Sequence, residues 1–214
     1  IEILHTKEIM RPENVEMVSL LGIELRRFDR TLIDADTLLC TVDAQPTFFS
    51  DEEELKFDVV IDHHKPSRTF KAQVKDLRQN YGSTATILTE YFLSAKEEIP
   101  SPIASALYYG LITDTANLRR NVGPYDFEAL KTLKKAIDED IVRRIELAQM
   151  PQDVMRMLGA ALASKRQFGD LLFSYIGRTD NVEMVPYIAD WFIRIQGIAW
   201  SVVACVTEKK LVVC

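Results

Sequence analysis

Short apolar runs alternate along the chain with longer segments in which apolar residues recur at helical spacing. The apolar runs predict strands at residues 1–4, 23–28, 36–43 and 57–61. The helical spacing predicts helices at residues 12–21, 84–95, 103–111, 127–135 and 138–148. Because strands and helices alternate, the sequence predicts an α/β fold with a parallel sheet and helices on both of its faces.

The pattern changes after Met150. Residues 151–167 have the spacing of a long connecting helix, and strands at 171–176, 198–206 and 211–213 then flank a helix at 184–195. We therefore predict an α/β domain over residues 1–150, a linker helix over 151–167 and the start of a smaller α/β domain over 168–214. Strand-like segments stand at both ends of the chain, so both domains are expected to be incomplete.

The composition is that of a globular protein with an acidic surface. Apolar residues make up 47% of the 214, and 26 basic against 32 acidic residues give a net charge of −6. This charge argues against a broad nucleic-acid-binding surface but allows a small basic pocket around one phosphate. The scattered Cys40, Cys205 and Cys214 are expected to be thiols. Without a membrane-spanning stretch or a signal peptide, the sequence predicts a cytoplasmic protein.

Candidate chemistry appears where the predicted strand 57–61 runs into Asp62, His63 and His64. The carboxyl ends of parallel strands are where α/β proteins present reactive side chains. One carboxylate and two imidazoles suit a divalent cation and a phosphate, with one imidazole on the metal and the other towards the substrate. The aspartate would then orient an imidazole. The alternative, a strand end that only bonds to a turn, is weaker because two of the chain's three histidines are adjacent here.

Two more aspartates follow apolar segments, Asp43 after residues 38–42 and Asp114 after residues 108–113. Each alone is as consistent with a turn or helix cap as with a metal ligand. Together with Asp62, His63 and His64, they supply the carboxylates and imidazoles that a two-metal hydrolase requires.

Ser83 and Arg119 each have a structural and a functional interpretation. Ser83 follows Gly82 at a predicted helix start, where it either caps the helix or helps to hold a phosphate at the helix N-terminus. Arg119 is either a solvated surface residue or a bidentate clamp on a substrate phosphate.

Three segments match a known family in order and spacing: Val60-Ile61-Asp62-His63-His64, Tyr81-Gly82-Ser83-Thr84-Ala85-Thr86 and Gly110-Leu111-Ile112-Thr113-Asp114-Thr115. They resemble the motifs of the DHH phosphoesterase superfamily, which includes RecJ-like exonucleases. The chain is most similar to the branch of oligoribonucleases and 3′-phosphoadenosine-5′-phosphate phosphatases. Its residues from about 168 onwards resemble the start of the family's DHH-associated, substrate-binding C-terminal domain.

The resemblance implies a phosphohydrolase with two manganese ions, magnesium being the alternative, in which a metal-activated hydroxide attacks phosphorus. It implies that Asp43 bridges the ions and that His63 and Asp114 bind one of them. His64 would contact the substrate phosphate and Asp62 would support the motif. Arg119 stands where the family often has an arginine. The implied substrate is a short oligonucleotide or a nucleoside bisphosphate, and a homodimer is the candidate assembly.

Two of the family's motifs are not in this sequence. An Asp-x-Asp is expected before Ile1 and a glycine- and histidine-rich motif after Cys214, and both are expected in the full gene product. Two other functions stay open on these residues. One is inorganic pyrophosphatase or exopolyphosphatase activity within the same superfamily. The other is a nucleotide-sensing module with a degenerate site, which could lack the Asp-x-Asp.

Overall fold

The computed structural model describes residues 1–49, 55–66 and 68–214. The strands are β1 (Ile3–His5), β2 (Leu25–Arg27), β3 (Cys40–Val42), β4 (Val59–Asp62), β5 (Val74–Leu77), β6 (Arg166–Phe168), β7 (Leu171–Arg178), β8 (Trp200–Val206) and β9 (Leu211–Val213). The helices are α1 (Pro12–Leu20), α2 (Thr84–Ala95), α3 (Ser101–Asp114), α4 (Pro124–Leu133), α5 (Glu139–Glu146), α6 (Gln152–Ser164) and α7 (Met184–Phe192). Two compact units result: a middle unit, Arg26–Arg144, and a terminal unit, Ile1–Leu25 with Ile145–Cys214.

The middle unit contains the parallel sheet that the alternating pattern predicted. Its order is β3-β4-β5, and all three strands point the same way. Cys40 lies opposite Val59, and Val42 lies opposite Ile61, so β3 and β4 end side by side. Val60 in the central strand is completely buried, as expected of a strand with both faces covered. The predicted α/β class is therefore confirmed.

Two details of this sheet differ from the prediction. β3 covers only Cys40–Val42 of the predicted 36–43. The prediction omitted β5, because Val74-Lys75-Asp76-Leu77 has a polar centre and an exposed first half. Backbone hydrogen bonds hold it in place, since the Val74 amide donates to the Asp58 carbonyl at 2.9 Å and the Arg78 amide to the Asp62 carbonyl at 3.0 Å.

Helices α2, α3 and α4 pack against one another in the middle unit. The starts of α3 and α4 each carry a proline in the first turn, where its missing N–H costs nothing. Six buried residues of α3, α4 and α5 form a hydrophobic core: Ala104, Tyr108, Leu111, Ala129, Leu133 and Val142. Within the described part of the chain, none of the helices combines the length and apolar content that crossing a bilayer requires.

An ion-pair network links β5 to α2. Arg78 donates to both carboxylate oxygens of Asp76 at 2.7 Å, and it also pairs with Glu90. The pKa of Asp76 is lowered, first by the hydrogen bonds from Arg78 and then, against its partial burial, by the one from Tyr91. Because this pKa is depressed in the folded state, the stabilisation is complete above the ordinary aspartate pKa and disappears as the pH falls through the folded value.

Asp76→Asn is therefore expected to lower the free energy of unfolding by about 1 kcal/mol near neutral pH, and by much less near pH 2. Urea unfolding at both pH values measures the difference. Asp140→Asn serves as the control, because the Asp140 pair with Arg143 is largely exposed. An equal loss at both pH values for Asp76→Asn would show that the carboxylate charge does not contribute.

The terminal unit is built on a mixed sheet with the order β6-β7-β8-β9. β7 and β8 are parallel, whereas β6 and β9 are antiparallel to their neighbours. Helix α6 packs on β7 and α7 packs on β8 around a core that includes Phe192 and Met184. A second sheet domain is thus present as predicted, but β6 begins at Arg166, inside the linker helix predicted over 151–167. The compact units divide the chain after Leu25 and Arg144, and the boundaries at 150 and 168 stay a prediction.

Candidate metal centre

Two neighbouring strands bring the predicted acids and imidazoles to one edge of the parallel sheet. Asp43 directly follows β3, and His63 and His64 directly follow β4. The Asp43 amide donates to the Ile61 carbonyl at 2.9 Å, which keeps Asp43 beside the end of β4. Asp43 has a φ of 58°, a left-handed conformation that aspartate tolerates better than most residues with a Cβ. The chain therefore turns away from β3 at Asp43 itself.

His63 is oriented as a metal ligand. Its Nδ1 lies 3.1 Å from the Tyr81 carbonyl oxygen, an acceptor, so Nδ1 carries a proton and, in the neutral ring, Nε2 keeps its lone pair. That Nε2 lies 3.6 Å from Asp43 Oδ1 and 3.9 Å from Asp114 Oδ2. In the neutral ring, this nitrogen and the two carboxylate oxygens are all acceptors, and a metal cation can then bind all three.

Of the three residues predicted to bind metal, Asp43 and Asp114 therefore flank the Nε2 atom of the third, His63. A partly different trio has donor atoms that all lie within 4.8 Å of one another, namely Asp43, His63 and His64. Asp43 and His63 belong to both sets. Asp114, the last residue of α3, joins the site through the 3.9 Å approach of its Oδ2 to His63 Nε2. Carboxylate oxygens and imidazole nitrogens together suit a divalent cation, and the choice of manganese or magnesium stays a prediction.

The raised pKa of Asp114 shows that a second negative charge beside Asp43 is unfavourable. This pKa is raised to about 6, first because burial disfavours the carboxylate and then because the Asp43 carboxylate is near. His63, His64 and Arg120 act in the opposite direction without cancelling the effect. A divalent cation held by both carboxylates would offset this repulsion.

Asp62 is completely buried and acts on its neighbours rather than on a metal. It accepts hydrogen bonds from Gln45 Nε2 at 2.7 Å, the His63 amide at 2.9 Å and His64 Nδ1 at 2.8 Å. Burial raises the pKa of Asp62, but hydrogen bonds from His64 and Gln45 more than compensate, and the net pKa is lowered. The carboxylate thereby fixes the His64 ring and leaves its Nε2 free to contact other groups.

Two supporting residues escaped the sequence reasoning. Gln45 is buried and joins Asp62 to the His64 carbonyl, which its Nε2 reaches at 3.1 Å. Thr84 donates from Oγ1 to Asp43 Oδ1 at 2.7 Å and so orients that carboxylate. Thr84 lies inside the 81–86 motif, which the sequence analysis singled out. Gln45 is an isolated glutamine before a proline, and nothing in the sequence marks it as part of a site.

Comparison with known proteins settles the family. Residues 3–111, about half of the chain, match the model of the DHH family, N-terminal domain. The chain belongs to the DHH family. The predicted superfamily is thus confirmed, while the oligoribonuclease and bisphosphate phosphatase branch stays a prediction.

Proteins similar to this DHH chain include one curated relative and two solved structures. The uncharacterized protein MJ1633 of Methanocaldococcus jannaschii is 31% identical over 192 residues, which cover 89% of this chain and only 40% of that protein. An exopolyphosphatase-related protein from Bacteroides fragilis has the same fold, with a TM-score of 0.75 and 16% identity over 99% of this chain and 68% of its own. A Methanococcus jannaschii protein assigned to the family II inorganic pyrophosphatases has a TM-score of 0.51 and 18% identity over 98% of this chain and 78% of its own.

The two remaining predicted residues of the DHH chain lie in different surroundings. Ser83 is buried, and its Oγ accepts from the Thr86 amide at 3.1 Å, so the structure shows it as the N-cap of α2. Arg119 is exposed next to Arg120, whose Nε lies 3.4 Å from the Asp114 carbonyl. Contact of Ser83 or Arg119 with a substrate stays a prediction.

Proposed function

We propose that this DHH-family protein is a manganese-dependent phosphohydrolase acting on short oligonucleotides or nucleoside bisphosphates. The observation that carries the proposal is the His63 imidazole, anchored at Nδ1 and directed at Asp43 and Asp114 through Nε2. When bound at these residues, divalent ions supply an acidified water and polarisation of the phosphoryl oxygens.

His64 is proposed to hold the substrate phosphate. Its pKa is raised: burial opposes the charged form, but the hydrogen bond to Asp62 and the charges of Asp43 and Asp114 outweigh burial. In its imidazolium form, which a raised pKa promotes, Nε2 can donate a charge-assisted hydrogen bond to a phosphoryl oxygen. The side chain is 48% exposed, as a substrate contact requires, while its buried partner Asp62 keeps the ring fixed.

An aromatic residue beside this position supports a nucleotide over a bare phosphate chain. Phe48 is 56% exposed, and its ring centre lies 6.2 Å from that of His64 in an edge-to-face arrangement. An exposed aromatic ring next to a phosphate contact is a surface on which a base can stack, and such stacking contributes about 1–3 kcal/mol per base.

Pyrophosphate or polyphosphate hydrolysis is the second candidate. It is favoured by what the two similar structures are described as, an exopolyphosphatase-related protein and a family II inorganic pyrophosphatase. Both have less than 20% identity to this chain, so they support the fold and leave the substrate to experiment.

A substrate panel with manganese tests the proposal on the full gene product. We expect release of mononucleotide or phosphate from a short RNA, a short DNA or adenosine 3′,5′-bisphosphate, and loss of that activity after treatment with EDTA. Phe48→Ala should raise KM for these substrates about tenfold or more with little change in kcat. Phe168→Ala, which removes a similarly exposed phenylalanine from β6, is the matched control.

Each other outcome has a definite meaning. Turnover of pyrophosphate or polyphosphate alone, insensitive to Phe48→Ala, would move the protein to the second candidate. A folded protein that binds manganese and hydrolyses none of these compounds would refute the phosphohydrolase proposal.

A further inference from the structure

A single peptide group connects His63 to a buried carboxylate on another element. The carbonyl of the Tyr81–Gly82 peptide faces His63 Nδ1 at 3.1 Å. The N–H of the same peptide donates to both oxygens of Asp126, at 2.9 and 3.0 Å. Asp126 lies in the first turn of α4, 44 residues further along the chain than Gly82.

Asp126 is completely buried, and its hydrogen bonds come from uncharged donors. Besides the Gly82 amide, they are Thr86 Oγ1 at 2.6 Å and the Gly123 amide at 2.8 Å. Each oxygen accepts two of these bonds, so the arrangement suits the ionised carboxylate. The bond to Gly123 caps α4, but capping does not require the bond to Gly82.

The local packing holds this peptide in one orientation. A Cβ on Gly82 would lie 2.7 Å from the Asn121 carbonyl oxygen, so the absence of a side chain permits the approach to Asp126. On the other side, the Tyr81 ring stacks on Tyr125 with centres 4.7 Å apart, and its hydroxyl donates to Glu90 at 3.0 Å. The Tyr81 carbonyl is therefore fixed in its direction towards His63.

From this geometry we infer that Asp126 is a positioning residue that strengthens His63 as a metal ligand through the Tyr81–Gly82 peptide. The negative charge polarises the amide and makes its carbonyl oxygen a stronger acceptor for Nδ1–H. The imidazole then carries more electron density at Nε2, the effect that a carboxylate has when it bonds directly to a metal-binding histidine. The inference rests on the metal centre of the proposed function but on none of its substrates.

Substituting the carboxylate tests the inference in the full gene product. Asp126→Asn removes the charge and should weaken manganese binding about tenfold, as measured by calorimetry without substrate. In the metal-free protein, the His63 Nδ1–H resonance should move upfield. Thr86→Val is the matched control, since it removes one hydrogen bond to the same carboxylate but keeps its charge and the Gly82 contact, and it should leave both values near those of the wild type.

A measurement on the wild type keeps the inference testable if Asp126→Asn fails to fold. Binding of diamagnetic magnesium should shift the NMR resonance of the Gly82 amide proton downfield by more than that of the Gly123 amide proton. Gly123 also donates to Asp126, but its peptide does not contact His63. Equal shifts of the two amides would overturn the inference. So would an unchanged manganese affinity in folded Asp126→Asn, or an equal loss in Thr86→Val. Failure of the proposed hydrolysis alone would leave these binding and NMR results unaffected.

Discussion

His63→Ala is expected to lower kcat/KM for the proposed phosphate-ester hydrolysis roughly a thousandfold, which corresponds to about 4 kcal/mol of transition-state stabilisation. The imidazole Nε2 is the atom that Asp43 and Asp114 share, at 3.6 and 3.9 Å. Its loss should therefore disrupt metal binding by all three residues. The fold should survive, because the substitution removes one hydrogen bond, to the Tyr81 carbonyl, at a cost of about 1 kcal/mol.

Steady-state kinetics at saturating manganese, together with calorimetric metal titration, measure this effect. His5→Ala is the control, because His5 lies in the terminal unit and its Nδ1 bonds to the nearby Lys7 carbonyl at 2.8 Å. Activity within tenfold of the wild type in His63→Ala would contradict the proposed centre. A parallel loss in His5→Ala would point to a general effect of losing an imidazole.

Gly82→Ala is expected to cost about 3 kcal/mol of unfolding free energy. The added Cβ would lie 2.7 Å from the Asn121 carbonyl oxygen, 2.8 Å from Thr115 Cγ2 and 3.0 Å from Asp126 Oδ2. The first of these is a backbone atom in the turn after α3, and it cannot rotate away. Because the Tyr81–Gly82 peptide also bonds to His63, metal affinity should fall together with stability.

Gly159→Ala is the control, because it is expected to change the unfolding free energy in the opposite direction. Gly159 lies within α6, and beyond its chain neighbours and the backbone of its own helix an added Cβ would meet no heavy atom within 4 Å. Alanine there should raise the unfolding free energy by about 0.5–1 kcal/mol, since it reduces the freedom of the unfolded chain. Urea unfolding of the two variants should therefore give changes of opposite direction. A stability of Gly82→Ala equal to that of the wild type would show that the Asn121 turn can move.

The reactive edge of the sheet was predictable because its signals are local. An apolar strand that ends in Asp62, His63 and His64 needs no knowledge of distant residues, and neither does the serine that caps α2. The parallel sheet followed from the alternation of strands and helices in the same way. β5 was not predicted, because its side chains carry no apolar pattern and the strand depends on backbone pairing with β4.

The residues that support the site from behind, Gln45 and Asp126, were not predictable for a different reason. Gln45 contacts Asp62 across 17 positions of sequence, and Asp126 contacts Gly82 across 44. Nothing in the neighbourhood of either polar residue distinguishes it from a surface residue, and only the fold buries it. Such residues become visible when one asks where each buried donor of a recognised motif finds its acceptor.

The left-handed backbone at Asp43 has a consequence for how this site can be lost in evolution. A φ of 58° suits aspartate, asparagine and glycine and strains most other side chains. Asparagine keeps the shape and the local hydrogen bonding but loses the charge, and one base change in an aspartate codon produces it. Inactive descendants of this gene are therefore expected to carry asparagine at position 43 more often than alanine or serine, and their folds should be intact.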